Sequence, residues 1–295
     1  MRVVDLFCGC GGMSLGFQNA GFDIVAAYDK WQPAIDIYSK NFRHPIHNID
    51  LNDVHAVEHI AMYNPDMIIG GPPCQDFSIA GKREQGERAN LTLRFANIVA
   101  NIKPQFFVME NVYNIVRMPI LHDAINIFKN VGYGITKIIL DASYCGVPQT
   151  RKRFFMIGIL GGCDDFFLNR LIEAQSKKQL TVREYLGDSL GTDYYYMHPR
   201  SYNRRAIFSV DEPSATIRGV NRPIPEKYKH HPADATQTRD GVRSLSSKER
   251  SYIQTFPAGF EWCGTKSQIE QAIGNAVPVK LAEFVANIIK AEIKG

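Results

Sequence analysis

Gly70-Gly71-Pro72-Pro73-Cys74-Gln75-Asp76-Phe77-Ser78 follows the short apolar run Asp66-Met67-Ile68-Ile69, and this juncture decides how the chain is read. The run has the length and composition of a buried strand. The two prolines fix φ and remove two backbone donors, so Cys74 emerges on a stiff loop at the end of that strand. Open α/β sheets place their chemistry at such strand ends. A thiol held there is a candidate nucleophile, because a thiolate adds readily to an electron-poor carbon. A cysteine half-buried in a tight turn gives the same local signal, so this stretch alone leaves both readings open.

Outward from this point, the first half of the chain alternates apolar runs with helical periodicity. Strands are expected at 2–7, 23–28, 66–70, 105–110, 135–140 and 153–159, and helices at 13–20, 33–41, 53–62, 91–102 and 120–130. That is the pattern of an α/β, Rossmann-like fold with a mostly parallel sheet. The pattern fades after Gly161-Gly162 into an irregular stretch rich in proline, tyrosine and arginine, and helical spacing returns at Leu281, Phe284, Val285, Ile288 and Ile289. The expected organisation is a discontinuous catalytic and cofactor-binding domain, residues 1–162 plus 270–295, with a smaller target-recognition domain at 163–269.

The composition is that of an ordinary globular protein, with 45% hydrophobic and 22% charged residues among 295. Asp5 stands where a signal peptide needs apolar residues, and no run approaches the length of a membrane span. The six cysteines lack CxxC pairing, so neither a zinc site nor a disulfide framework is expected, and reduced thiols suit a cytoplasmic location. Charge is uneven. Residues 1–110 carry nine Lys or Arg against twelve Asp or Glu, whereas 198–231 carry seven against three. A basic stretch with interleaved aromatics points to a polyanion partner, although a solvated surface produces the same count.

Val3-Val4-Asp5-Leu6-Phe7 runs into the glycine-rich turn Cys8-Gly9-Cys10-Gly11-Gly12-Met13-Ser14-Leu15-Gly16, where backbone can approach a cofactor closely. A dinucleotide fingerprint would need a third small partner where Ser14 stands, which is a weak match. Asp29 ends the next strand 18 residues beyond Gly11, placed to accept from ribose hydroxyls. Asp50 follows a third apolar segment. Three acids, Asp5, Asp29 and Asp50, near one sheet edge suit a nucleoside bearing a cationic group, a description that fits S-adenosylmethionine. Each acid alone is as readily a cap or turn residue.

Glu110 ends the apolar strand Gln105-Phe106-Phe107-Val108-Met109, where desolvation would raise its pKa and prepare it to give a proton. In Gln149-Thr150-Arg151-Lys152-Arg153, alternation sends Gln149, Arg151 and Arg153 to one side, where a guanidinium can hold a base oxygen or a phosphate. An exposed basic strand end fits the same pattern.

Taken in order, these pieces resemble the cytosine-5 DNA methyltransferases of bacterial restriction-modification systems. "DLFCGCGGMSLGF" looks like the family's cofactor loop and "GGPPCQDFS" like its nucleophile loop. "MENV", "QTRKR" and "QAIGNAVP" look like its acid, arginine and final motifs, and "PSATIRG" like the motif that organises target recognition. The resemblance covers most of the chain. It implies that Cys74 is the nucleophile, that Glu110 protonates ring nitrogen 3, and that Arg153 with Arg151 holds the exocyclic oxygen. Phe7, Gly9, Gly11, Gly12, Asp29, Lys30, Asp50, Leu91, Asn275 and Val277 would line the cofactor site. Ser78, Gln149, Arg200, Arg204, Arg205, Arg218 and Arg222 are the expected DNA contacts. Lys30 stands where the family often has an aromatic residue, with Trp31 one place later. Cys10 beside Cys8 is an expected oxidation liability. The polar segment 79–88 looks like the loop that closes over the nucleophile.

The function so implied is methylation at carbon 5 of cytosine in double-stranded DNA, using S-adenosylmethionine. The expected setting is a monomer in the bacterial cytoplasm, paired with a restriction endonuclease of the same specificity. A transfer-RNA methyltransferase of the same family and a non-catalytic DNA-binding regulator are the alternatives.

Overall fold

The computed structural model describes residues 1–73, 90–201 and 203–294. A seven-stranded sheet is built from β1 (Arg2–Leu6), β2 (Asp23–Asp29), β3 (Ile46–Asn48), β4 (Met67–Gly70), β5 (Phe106–Val112), β6 (Tyr133–Asp141) and β7 (Lys152–Leu160), in the order β3-β2-β1-β4-β5-β7-β6. Its strands pair in parallel except β7, which runs antiparallel to both β5 and β6. The expected strands and helices are present to within a few residues. β3 was not anticipated as a strand. It is a three-residue edge strand, half-exposed, and lacks the apolar alternation that reveals the others.

Both faces of the sheet are buried, which is why its strands read as continuous apolar runs. On one face Val3, Met67, Ile69, Phe106, Val108, Phe155 and Ile157 form a single cluster with Phe17, Leu281, Val285 and Ile289. Those partners come from α1 (Gly12–Asn19) and from the last helix, α10 (Val279–Lys294). On the other face Val4, Leu6, Ile68, Phe107, Met109, Phe154 and Met156 pack with Ile60, Phe95, Val99, Leu121 and Phe128. These lie on α3 (Ala56–Ala61), α4 (Asn90–Ile102) and α5 (Pro119–Asn130). Residues alternate between the two clusters along β4, β5 and β7, as a period of two requires. α2 (Gln32–Asn41) starts with Pro33 in its first turn, where the missing donor costs nothing.

Beyond β7, α6 (Leu168–Glu173) still belongs to the large core, since Phe167 and Leu171 join the first cluster. The fading of periodicity after Gly162 therefore precedes the edge of that core. Then come α7 (Val182–Leu186) and a three-stranded sheet, β10-β8-β9, made of β8 (Tyr194–Tyr196), β9 (Ile207–Ser209) and β10 (Arg243–Ser244). α8 (Ser247–Ile253) and α9 (Lys266–Asn275) follow, each opened by a reciprocal capping box, Ser246 with Glu249 and Thr265 with Gln268. By length and composition Lys266–Ile293 is apolar enough to cross a membrane, against the expectation of no such run. It is two helices separated at Ala276-Val277-Pro278, and two thirds of its apolar 18-residue part is buried inside the fold, so it reads as a core segment.

Strand order reverses between β1 and β4. β1 leads to β2 and β3 on one side, and β4 leads to β5 on the other. Crossover helices diverge there, leaving a crevice beyond the carboxyl ends of these two strands.

Candidate active site

A cavity of about 570 Å³ occupies that crevice. Its wall is assembled from strand ends: Asp5, Phe7, Cys8 and Gly9 after β1, Asp29 and Trp31 after β2, Asp50 after β3, Gly71, Pro72 and Pro73 after β4, and Glu110 and Asn111 on β5. Arg153 reaches it from β7, Leu91 from α4, and Asn275 and Val277 from the end of α9.

The turn after β1 is shaped by unusual backbone. Phe7 has φ 57° and Gly9 φ 55°, a left-handed conformation that a phenylalanine adopts only under constraint. Asp29 supplies the constraint. Its Oδ2 accepts from Gly9 N at 2.8 Å and its Oδ1 from Trp31 N at 2.8 Å, joining the ends of β1 and β2. A Cβ added at Gly9 would meet nothing within 4 Å, so open space lies over this glycine. Lys30 bonds outward to Asp50 at 3.1 Å, and Trp31 is the aromatic ring that this loop gives to the cavity.

Asp5 lies beneath the turn. It is fully buried, its Oδ2 accepts from Ser14 Oγ at 2.6 Å, and its Oδ1 has no partner among the described residues. Burial pushes this carboxyl up to about 7, with the Asp29 charge adding to the effect. An orphaned buried acceptor beside an open cavity fits a cationic ligand. So does Asp50, which lines the same wall and is held below its ordinary pKa by the Asn52 amide and Lys30.

At the other end Glu110 and Arg153 form a buried ion pair, Oε1 to Nε 3.0 Å. β5 and β7 pair antiparallel with Glu110 opposite Phe155 and Val112 opposite Arg153, so the two charged side chains are diagonal neighbours on one face. Burial outweighs the pairing on both sides: it raises the Glu110 carboxyl and lowers the Arg153 guanidinium. A Cβ added at Gly71 would sit 3.1 Å from Glu110 Oε2, so the carboxylate lies against the stem of the Pro72-Pro73 loop. Asn111 Nδ2 donates to Pro72 O at 3.0 Å.

Of the expected site residues, the fold brings Phe7, Gly9, Asp29, Lys30, Asp50, Leu91, Glu110, Arg153, Asn275 and Val277 to one cavity. Cys74, Ser78 and the segment 79–88 lie outside the described residues. Five others, Gly11, Gly12, Arg151, Gln149 and Arg205, lie outside its lining and have their contacts elsewhere. Gly11 and Gly12 are glycines for packing: a Cβ would fall 2.4 Å from the Phe42 ring at one and 2.1 Å from Val277 O at the other. Arg151 is 1% exposed and donates to the carbonyls of Ile217 at 2.8 Å, Gly274 at 2.9 Å and Ala276 at 3.0 Å, leaving it no reach toward a base. Gln149 is fully buried, accepting from Ile217 N at 2.9 Å and donating to Gln254 at 2.8 Å. Arg205 pairs with Glu212 at 2.5 Å over the ring of Phe208.

Cys10 is also not the liability its position suggested. Its thiol is buried and pushed up to about 12, and that of Cys8 is raised as well, so neither carries appreciable thiolate.

The remaining arginines converge. Burial lowers the pKa of Arg218, with Arg200 and Arg204 adding to the effect, and burial followed by Arg222 and Arg218 does the same to His198. Arg200, Arg204 and Arg222 are exposed, and none forms an ion pair among the described residues. Sequence reasoning missed the role of Asn111. The signal available was the Pro72 carbonyl, which needs a donor that its own proline-rich loop lacks.

The C-5 cytosine-specific DNA methylase family matches residues 1–291. The Type II methyltransferase M.HindV of Haemophilus influenzae is 59% identical over 292 residues, covering 98% of this chain and 96% of that protein. M.HgiDI of Herpetosiphon aurantiacus, another Type II methyltransferase, is 56% identical over 293 residues, 99% of this chain and 94% of its own. In fold, the chain is similar to the S. pombe Dnmt2 methyltransferase, with TM-score 0.78, 19% identity, and 100% and 99% of the two chains covered. The Entamoeba histolytica methyltransferase EhMeth gives TM-score 0.73 at 19% identity with 100% and 99% covered. With its seven-stranded methyltransferase sheet and a family match over nearly its whole length, the chain belongs to the C-5 cytosine-specific DNA methylases and is a DNA cytosine-5 methyltransferase.

Proposed function

We propose that the protein methylates one cytosine within a specific double-stranded DNA sequence, with Cys74 as nucleophile, Glu110 as proton donor and S-adenosylmethionine as methyl source. The observation that carries this reading is the Glu110–Arg153 ion pair, set against the stem of the Cys74 loop at one end of a cavity whose other end is lined by acids.

The acid-lined end fits the cofactor: Asp5 and Asp50 offset positive charge, Trp31 offers a flat apolar surface, and Gly9 leaves the backbone approachable. When bound, S-adenosylmethionine supplies a methyl group on a positively charged sulfur. Carbon 5 of cytosine is too weak a nucleophile to take it unaided. Addition of the Cys74 thiolate at carbon 6 makes carbon 5 enamine-like, and a proton from Glu110 to ring nitrogen 3 stabilises the adduct as charge develops there. Arg153 fixes the carboxyl through Nε and donates to Lys152 O through Nη1 at 2.8 Å, so Nη2 is the nitrogen that would face the exocyclic oxygen. After transfer, water removes the carbon 5 proton and the thiol leaves by elimination. The base must be extruded from the duplex to reach this cavity, which contacts with the arginine cluster offset.

The same reading makes the protein the protective partner of a restriction endonuclease in a bacterial cytoplasm, acting as a monomer. Its relatives' description as Type II methyltransferases supports that setting. Bisulfite sequencing of DNA from cells expressing the protein tests it. Protected cytosines should fall at one position of one short sequence, and protection confined to transfer RNA would overturn the reading.

A further inference from the structure

Arg151 and Gln149, expected to face the base and the DNA, belong to a buried network instead. Three charged side chains, Arg151, Arg250 and Glu270, are 3% exposed or less, and all serve one stretch of backbone. Arg151 holds Ile217 O, and Gln149 holds Ile217 N. Arg250 donates to the carbonyls of Arg218 and, at 3.3 Å, Val220, and is ion-paired with Glu270. Glu270 Oε1 accepts from Asn221 Nδ2 at 2.8 Å and from Ser247 Oγ at 2.7 Å. The stretch 217–221 is thus gripped at Ile217, Arg218, Val220 and Asn221.

The grip is anchored on α9. Glu270 lies on that helix, and Arg151 also donates to Gly274 O and Ala276 O at its carboxyl end, where a helix favours a cation. At Gly274 the helix meets the stretch backbone to backbone: a Cβ there would fall 2.1 Å from Gly219 N and 2.2 Å from the carbonyl carbon of Arg218. The same helix walls the cofactor cavity through Gln271, Ala272, Gly274 and Asn275. Buried charges of this kind are costly to desolvate, and apolar residues of similar size often stabilise a fold as well. Their return here is a fixed geometry for the backbone that carries Arg218 and leads into Arg222.

We propose that Glu270 and Arg250 are positioning residues for sequence selection, holding the arginine-bearing stretch 217–222 in fixed register with the cofactor cavity through α9. The proposal rests on the reading of the arginine cluster as the DNA-contacting surface. Neither residue touches DNA; each acts through the carbonyls and amide of the stretch. Loosening the grip should blur which base pairs the arginines meet while leaving their charge available to phosphate, so discrimination falls more than overall affinity.

The test uses the full chain, with the sequence found by bisulfite analysis and duplexes altered at single base pairs. Glu270→Gln should lower the ratio of kcat/KM for the intact over the altered sequence tenfold or more. Its S-adenosylmethionine dissociation constant and its affinity for random duplex should stay within about threefold. Glu270→Gln leaves Arg250 buried without its counter-charge, so Asn221→Ala, which removes the hydrogen bonds to Glu270 Oε1 and Leu245 O and strands no charge, is the second variant; it should lower the same ratio by about threefold to tenfold. Folded variants that discriminate as well as the wild type would overturn the proposal alone. Wild-type protein that prefers no sequence would overturn the DNA reading along with it.

Discussion

Asn111 holds Pro72: its Nδ2 donates to the Pro72 carbonyl at 3.0 Å, while its Oδ1 accepts from Val112 N at 2.8 Å. The strand that carries the acid is thereby fastened to the loop that leads to the nucleophile, two residues before Cys74. Asn111 is 3% exposed, so losing this bond strands a buried carbonyl. Asn111→Ala should cost about 1–3 kcal/mol of stability. It should also lower kcat by more than it raises KM for either substrate, because the loop entry loses its anchor. Denaturant unfolding and steady-state kinetics check both, and an unchanged kcat would assign Asn111 to the fold alone.

Glu110 should titrate in the pH profile of the chemical step. Burial raises its pKa above the ordinary 4.5, opposed by Arg153, and the protonated acid is the form that donates. Single-turnover rates should fall as pH rises through that raised pKa. Glu110→Gln should lower the rate by about two to four orders of magnitude and remove this descending limb, with DNA affinity little changed. Equal losses of affinity and rate would mark a structural carboxylate.

How much of this site was legible beforehand depended on whether local sequence alone determined it. β4, β5 and β7 announced themselves because both sheet faces are covered, so their apolar runs are continuous. Glu110 and Asp29 were visible as acids at strand ends. Arg151 and Gln149 were not legible in the same way: alternation placed them on one side of the strand, but that side is covered by Ile217 and Gly274, which arrive 66 and 123 residues later. Gly11 and Gly12 looked like cofactor glycines for the same reason, with Phe42 and Val277 supplied by distant parts of the chain.

Asp5 should contribute a falling limb to the pH dependence of stability in the cofactor-free protein. Unfolded, the carboxyl ionises near 3.8; folded, it ionises near 7. Between those values the folded chain keeps a proton that the unfolded chain has lost. The Asp5 contribution to stability is therefore fully present below about 4 and is lost as pH rises to about 7, by at most about 1.4 kcal/mol per pH unit. Asp5→Asn, which retains an oxygen for Ser14, should flatten that decline. Melting temperatures from pH 4 to 8 test it, and an identical slope in both proteins would remove Asp5 as the cause.

The nucleophile is tested most directly by trapping. DNA containing the methylated sequence with 5-fluorocytosine at the target position, incubated with the protein and S-adenosylmethionine, should yield a covalent complex, because fluorine at carbon 5 cannot leave as a proton. Peptide mapping of that complex should place the nucleotide on Cys74, and Cys74→Ala should bind the same DNA without forming it. A complex formed through another residue, or methylation sustained by the alanine variant, would contradict the mechanism.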